Sequence, residues 1–182
     1  MRRRILLAAM LPLARPARAE EPLRLLADGD HLGIMRHAIA PGTGDPPGFR
    51  LEECATQRNL SDEGRAQARA IGARLRAVGI GQARVLASQW CRARETAALL
   101  GFAPPEDLPA LNSFFAERGA GPGRTAALRA WIAAARLDRP LLLVSHQVNI
   151  TALADVVPVP GEIVLLRRTG AGLAVAGRVP PG

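Results

Sequence analysis

Of three histidines in the sequence, two follow short apolar runs: His37 closes "HLGIMRH", directly after Arg36, and His146 closes "PLLLVSH". A third apolar run, "ARVLAS", ends at Ser88, and Arg92 follows it. Imidazole has an ordinary pKa near 6.5, so at neutral pH it keeps a lone pair and can attack phosphorus. Guanidinium grips phosphate oxygens through two parallel hydrogen bonds. If His37, His146, Arg36 and Arg92 meet, they form a compact cationic pocket suited to a phosphoryl group. Its cations would neutralise charge on the equatorial oxygens in the transition state. A lone histidine at a strand end reads as a hydrogen-bonded structural residue. Two of them, each after an apolar strand and with arginines at equivalent places, are better explained by a shared site. His31 has no such setting and reads as structural.

The elements that would position these residues follow from periodicity. "HLGIMR", "ARVLAS" and "PLLLVSH" are strand candidates, the last an almost unbroken apolar run as expected for a strand covered on both faces. "LSDEGRAQARAIGARLRAVGI" predicts a helix with Ser61 as N-cap and Asp62 and Glu63 in its first turn. Ala68, Ile71, Leu75 and Val78 form its apolar stripe, away from Arg65, Arg69 and Arg76. "CRARETAALLG" reads as a second helix, stopped by Gly101. "GRTAALRAWIAAARLD" reads as a third, with Ala127, Trp131 and Ala134 on its inner face. "QVNITALADV" is a short fourth, and "GEIVLLRR" and "GLAVAGRV" a closing hairpin or edge strands. Alternating strand and helix predicts a three-layer α/β/α sandwich with a mostly parallel central sheet. Such sheets bind ligands at the carboxyl ends of their strands, where Arg36-His37, Ser88 and Ser145-His146 all fall. "APGTGDPPG" at 40–48 is a loop, and the insert at 40–58 would hang over the site.

The residues resemble an ordered set of motifs in the histidine phosphatase superfamily, whose fold is called phosphoglycerate mutase-like. The stretches are "MRHA" (35–38), "NLSDEGRAQA" (59–68), "SQWCRARET" (88–96) and "VSHQVNI" (144–150). The family's Arg-His-Gly opening has Ala38 at its third place here. Leu60, Ser61 and Gly64 match the helix start, and Ser88, Arg92, Glu95 and Thr96 the third motif. The resemblance spans about 31–168. It implies that His37 is the phosphorylated nucleophile and that Arg36, Arg92 and His146 hold the phosphoryl group. It also implies an acid that protonates the leaving oxygen. Glu117, in "NSFFAERGAG", is the best placed; Glu95, Asp155 and Glu162 are weaker candidates. Relatives often carry an acid directly after the second histidine, but Gln147 stands there. Arg58, just before the helix start, reads as a surface arginine, with a place at the pocket mouth as the second reading. No metal or organic cofactor is implied. The short chain favours a phosphatase over a mutase acting on a small sugar phosphate.

Other classes fit less well. A cysteine phosphatase needs Cys-x5-Arg, and counting from Cys91 reaches Ala97. A zinc enzyme needs closely grouped ligands, which His31, His37 and His146 do not provide. A non-catalytic phosphate- or anion-binding protein remains the alternative, because it would use the same arginines.

Composition bounds the rest. The 182 residues suit one domain, and 48% hydrophobic content excludes a disordered chain. Arg2, Arg3 and Arg4, the apolar run "ILLAAMLPLA" and "ARA" at 17–19 predict a signal peptide over 1–19, leaving a domain over 20–182. Cleavage removes Arg2, Arg3, Arg4, Arg15 and Arg18 and lowers the net charge from +8 to +3. With no tyrosine, four phenylalanines and two tryptophans, nucleic-acid binding is disfavoured. No stable membrane insertion is expected after cleavage, and the location is periplasmic or secreted. In such a compartment Cys54 and Cys91, the only cysteines, are free to pair; two buried thiols are the other reading. The partner is a small-molecule phosphate ester: a lipopolysaccharide sugar phosphate, a nucleotide or a scavenged ester are all open, as is the oligomeric state.

Overall fold

Alternation along the strands sorts the core onto the two faces of one sheet. The computed structural model describes residues 21–170 and 172–182, so the leader expected over 1–19 lies outside the described residues. In chain order the elements are β1 (His31–Arg36), α1 (Asp62–Ala77), β2 (Arg84–Ala87), α2 (Cys91–Leu99), β3 (Glu106–Asp107), α3 (Gly121–Ala134), β4 (Leu141–Ser145), α4 (Gln147–Ala154), β5 (Ile163–Thr169) and β6 (Gly172–Val179). The described strands form one sheet of order β3-β2-β4-β1-β5-β6. β1, β2, β3 and β4 run parallel, whereas β5 is antiparallel to β1 and β6 to β5. The mixed sheet thus keeps a parallel centre and closes one edge with a hairpin.

Met35, Leu142, Val144 and Ile163 point to one face, against Ile71 and Leu75 of α1 and Ala93 and Ala97 of α2. Ile34, Leu141, Leu143 and Val164 point to the other, against Leu128 and Ile132 of α3 and Ile150 and Leu153 of α4. β4 is buried along its whole length, the condition its apolar run demands. Each such aliphatic side chain contributes about 1.5–3 kcal/mol on burial. This is the three-layer α/β/α arrangement with helices on both faces.

Local chemistry fixes the helix starts. Ser61 accepts the Gly64 N–H at 3.0 Å and caps α1, and Asp62 and Glu63 lie in the first turn. Ala68, Ile71, Leu75 and Val78 are buried. Gly64 is required by close approach: a Cβ there would sit 2.0 Å from the Ile39 carbonyl oxygen. α1 therefore rests directly on the segment that follows His37. α3 differs from expectation. Its buried residues are Gly121, Leu128 and Ile132, while Ala127 and Ala134 are exposed and Trp131 is half-buried. Alanines at helical spacing occur on both sides of this helix, and the branched Leu and Ile, with more apolar area to bury, take the inner face.

The 40–58 insert folds over the carboxyl end of the sheet as loop apart from a 3-10 turn at Cys54–Thr56. Cys54 and Cys91 form a disulfide with Cα atoms 5.7 Å apart. The bond ties the insert to the first residue of α2, one position before Arg92. Closing a loop of this sequence separation of 37 stabilises a fold by roughly 4 kcal/mol on the chain-entropy argument. No described helix is long and apolar enough to cross a membrane.

Candidate active site

Strand register brings the motif residues to one level. Arg36 of β1 pairs with Ser145 of β4, and the His37 N–H donates to the Ser145 carbonyl at 2.9 Å. Ala87 of β2 pairs with Val144, and the Ser88 N–H donates to the Val144 carbonyl at 2.9 Å. Arg36-His37, Ser145-His146 and Ser88 therefore leave three adjacent strands side by side. Arg36, His37, Arg92 and His146 all line one cavity of about 410 Å³. The two imidazole ring centres lie 5.4 Å apart. His31, by contrast, opens β1 at the other end of the strand, its Nδ1 2.6 Å from Asp30.

His37 is 2% exposed, and its Nδ1 lies 2.8 Å from the Ala38 carbonyl oxygen. A carbonyl can only accept, so Nδ1 carries the proton and the lone pair resides on Nε2. Burial, and then the charge of Arg92, pushes the His37 pKa down to about 3. The ring is consequently neutral and nucleophilic throughout the physiological range. Burial also holds His146 well below its ordinary value, with the neighbouring His37 and Arg92 acting in the same direction. His146 Nε2 lies 2.8 Å from Ser88 Oγ. Ser88 also accepts the Trp90 N–H at 3.3 Å and reaches Asn112 Oδ1 at 3.3 Å. Asn112 is held in turn by the Gln89 N–H and side chain, and its carbonyl accepts from Asn149. This buried network fixes the ring of His146 from behind. Thr96 braces the nucleophile's segment: its Oγ1 accepts the Ala38 N–H at 3.0 Å and donates to the Arg92 carbonyl at 2.7 Å.

The arginines crowd the same space. Arg92 is buried, yet its guanidinium is gripped by one carboxylate: Nη1 meets Asp45 Oδ1 at 2.6 Å and Nη2 meets Oδ2 at 3.1 Å. Asp45 also accepts from Trp90 Nε1 at 3.0 Å and from the Arg58 N–H at 3.2 Å. Burial alone would raise the Asp45 pKa, but these hydrogen bonds, led by Arg92, hold it below the usual value. Arg58 lines the cavity, half-buried, its Nε donating to the Gly44 carbonyl at 2.7 Å and Nη1 to that of Ala40. The surface reading of Arg58 is thereby corrected: the insert's carbonyls draw its side chain inward. Burial and mutual repulsion lower the pKa of both Arg36 and Arg58. Nε of Arg36 and Nε of Arg92 are buried with no hydrogen-bond partner among the described residues. Unpaired buried guanidinium donors are costly unless an anion meets them. Arg36, Arg58 and Arg92 nonetheless line one cavity beside His37 and His146, a concentration of positive charge suited to a phosphate-sized dianion.

Glu117 lines the same cavity from the segment before α3, with 71% of its side chain exposed and Arg124 3.4 Å away. The weaker acid candidates are occupied or turned elsewhere. Glu95 pairs with Arg65, Glu162 is held by Arg178 and the Val159 N–H, and Asp155 ends α4 in a left-handed conformation. None of the three lines this cavity. Sequence reasoning missed Asp45 and Asn112. Asp45 sits in Gly-Asp-Pro-Pro, where every residue is a turn former, and Asn112 carries no motif at all.

Comparison with known proteins adds a family pattern over part of the chain and a fold. The pattern of the histidine phosphatase superfamily (branch 1) matches residues 49–121, a stretch that holds Arg92 but neither His37 nor His146. No curated protein sequence matches. Among solved structures, the protein histidine phosphatase SixA complexed with tungstate superposes with a TM-score of 0.62 at 19% identity, covering 83% of this chain and 97% of its own. A putative α-ribazole-5′-P phosphatase from Escherichia coli gives 0.62 at 16% identity, covering 85% and 98%. A mycobacterial glucosyl-3-phosphoglycerate phosphatase gives 0.52 at 18% identity, covering 76% and 90%.

Proposed function

We propose that this chain, which carries the histidine phosphatase superfamily pattern over residues 49–121 and the phosphoglycerate mutase-like fold around it, is a phosphomonoesterase working through a phosphohistidine at His37. One observation carries the reading. His37, with its lone pair on Nε2, shares a cavity with His146 and with the guanidinium groups of Arg36, Arg58 and Arg92. That combination supplies a nucleophile and a receptor for the group it attacks.

In the first half-reaction His37 Nε2 forms a bond to phosphorus as the ester P–O bond breaks. The departing oxygen takes the proton of the Glu117 carboxyl group. Arg36, Arg92 and His146 hold the equatorial oxygens, where charge changes least favourably without them. In the second, Glu117 as carboxylate removes a proton from water, the water oxygen attacks phosphorus, and the N–P bond breaks. Phosphate leaves, His37 regains its lone pair, and Glu117 regains its proton. The sum is ester plus water giving alcohol plus phosphate. The substrate is a small phosphate ester met outside the cytoplasm. The leader-like composition of residues 1–19 and the Cys54–Cys91 bond support that location.

Trapping tests the mechanism directly. Protein quenched during hydrolysis of a radiolabelled ester should carry label on His37. Measured turnover without label at His37 would overturn it. His37→Ala should abolish turnover while phosphate binding persists. Wild-type protein that binds phosphate but hydrolyses nothing would identify an anion-binding protein instead.

A further inference from the structure

Aromatic side chains are scarce here, with four Phe and two Trp in the whole sequence, yet Phe49, Trp90 and Phe115 all line the cavity that holds His37. Two of them continue a run of neighbouring rings that starts at the nucleophile. The His37 ring stands 5.4 Å from that of His146, His146 stands 5.4 Å from Trp90, and Phe49 stacks on Trp90 at 5.2 Å with 18° between planes. Trp90 is fixed by Asp45 through its indole N–H. The other two present surface. Phe49 is half-buried, and Phe115 is 41% exposed although it is a large hydrophobe. Phe115 faces the insert, since a Cβ on Gly44 would lie 3.7 Å from its ring. Two aromatic side chains from different segments therefore line a cavity of about 410 Å³, far larger than phosphate alone requires; Phe49 rests one face on Trp90, and the Arg118 guanidinium lies over the Phe115 ring at 5.0 Å.

We propose that the phosphate ester this site accepts carries a planar aromatic ring, as in a nucleoside 5′-monophosphate, with the ring packed beside Phe49 and Phe115. The proposal rests on the phosphatase reading above and names its substrate class. Phe49 and Phe115 line the same cavity as His37 from two different segments, so a ring carried on the ester can meet them while the phosphoryl group meets His37. Rings gain free energy by stacking on aromatic faces whatever their hydrogen-bonding pattern. Thr43, Ser113 and Gln147 add polar groups along the same lining for the sugar and the ring edge.

The test compares adenosine 5′-monophosphate with ribose 5-phosphate, which have the same leaving hydroxyl and differ only in the base. We expect kcat/KM about tenfold or more higher for the nucleotide, the effect of one stacked base. Phe49→Leu and Phe115→Leu should each pull that ratio toward one. Phe115 is exposed, so its replacement leaves the fold intact even if the Phe49 variant is unstable. Equal kcat/KM for the two esters, with p-nitrophenyl phosphate hydrolysed normally, would overturn the aromatic substrate class and leave the phosphatase reading standing. A nucleotide preference that survives Phe115→Leu and Phe49→Leu would overturn the assignment of these rings. Hydrolysis of none of the three esters would instead sink the phosphatase reading itself.

Discussion

The floor and the rim of the cavity are built in opposite ways. On the floor, His37, His146, Ser88, Arg92, Thr96 and Asn112 are all buried and joined to strand ends or to one another by hydrogen bonds. At the rim, Glu117 and Phe115 are exposed, and the insert is largely loop, held by a disulfide, the Asp45 carboxylate, Arg58 and the stacking of Phe49 on Trp90. A floor of this kind positions atoms by sheet register, which can slip only by flipping every side chain to the other face. A rim of this kind is positioned by a few contacts and can change at small cost to the fold. On the function proposed above, the difference separates two tasks: phosphoryl transfer on the floor and choice of ester at the rim.

Breaking the floor gives the largest effect. His37→Ala should reduce hydrolysis to background with the melting profile retained, measured as released phosphate beside circular dichroism. Residual turnover above a few per cent would show that the floor is not where bonds are made. Glu117→Gln comes next: about a hundredfold loss of kcat for alkyl phosphates but a small loss for p-nitrophenyl phosphate, whose leaving group needs no proton. Equal losses for both esters would remove Glu117 from the acid's role.

The Asp45–Arg92 pair joins the two regions. Asp45→Ala strands a buried guanidinium and should destabilise the protein by roughly 3–5 kcal/mol in urea melts near neutral pH. Because the folded carboxyl has a lowered pKa, its contribution is present above the unfolded value of 3.8 and fades as pH falls below it. The gap between wild type and variant should therefore close in acid. A gap that is the same at pH 3 and pH 7 would show that the carboxylate charge is not what holds Arg92. The disulfide should matter slightly less. The double change Cys54→Ala with Cys91→Ala should cost about 2–4 kcal/mol, with the insert loosened before the sheet in hydrogen exchange.

The smallest expected effect is none at all. The ring signals of His37 should stay flat between pH 5 and pH 8 in a nuclear magnetic resonance titration, because burial and Arg92 keep the imidazole neutral down to about 3. An inflection near 6.5 would mean that the floor is wetter than its geometry says. The same depression makes stability decline as pH drops below about 6.5, where unfolded imidazole binds protons that the folded rings refuse.

Much of the fold was legible in the residues because its causes are local. Apolar runs ending in polar pairs marked three parallel strands, and Ser61 with Asp62 and Glu63 marked a helix start. The inner face of α3 was not legible, because its alanines recur on every side and only the sheet beneath decides which stripe is covered. Arg58 illustrates the same limit: its inward turn depends on the carbonyls of Ala40 and Gly44, far along the chain from the helix it precedes.

By itself the sequence determined the types of group available and the strand ends that would carry them: two imidazoles, the arginines beside them, and an insert too rich in glycine and proline to be helix or strand. Only the tertiary structure decided that Asp45 would grip Arg92, that Asn112 would stand behind His146, and that Phe49 and Phe115 would line one cavity. Hydrophobic period and capping act within a few residues and are written in order along the chain. Ion pairs and ring contacts between loops depend on how distant segments meet once the sheet has closed.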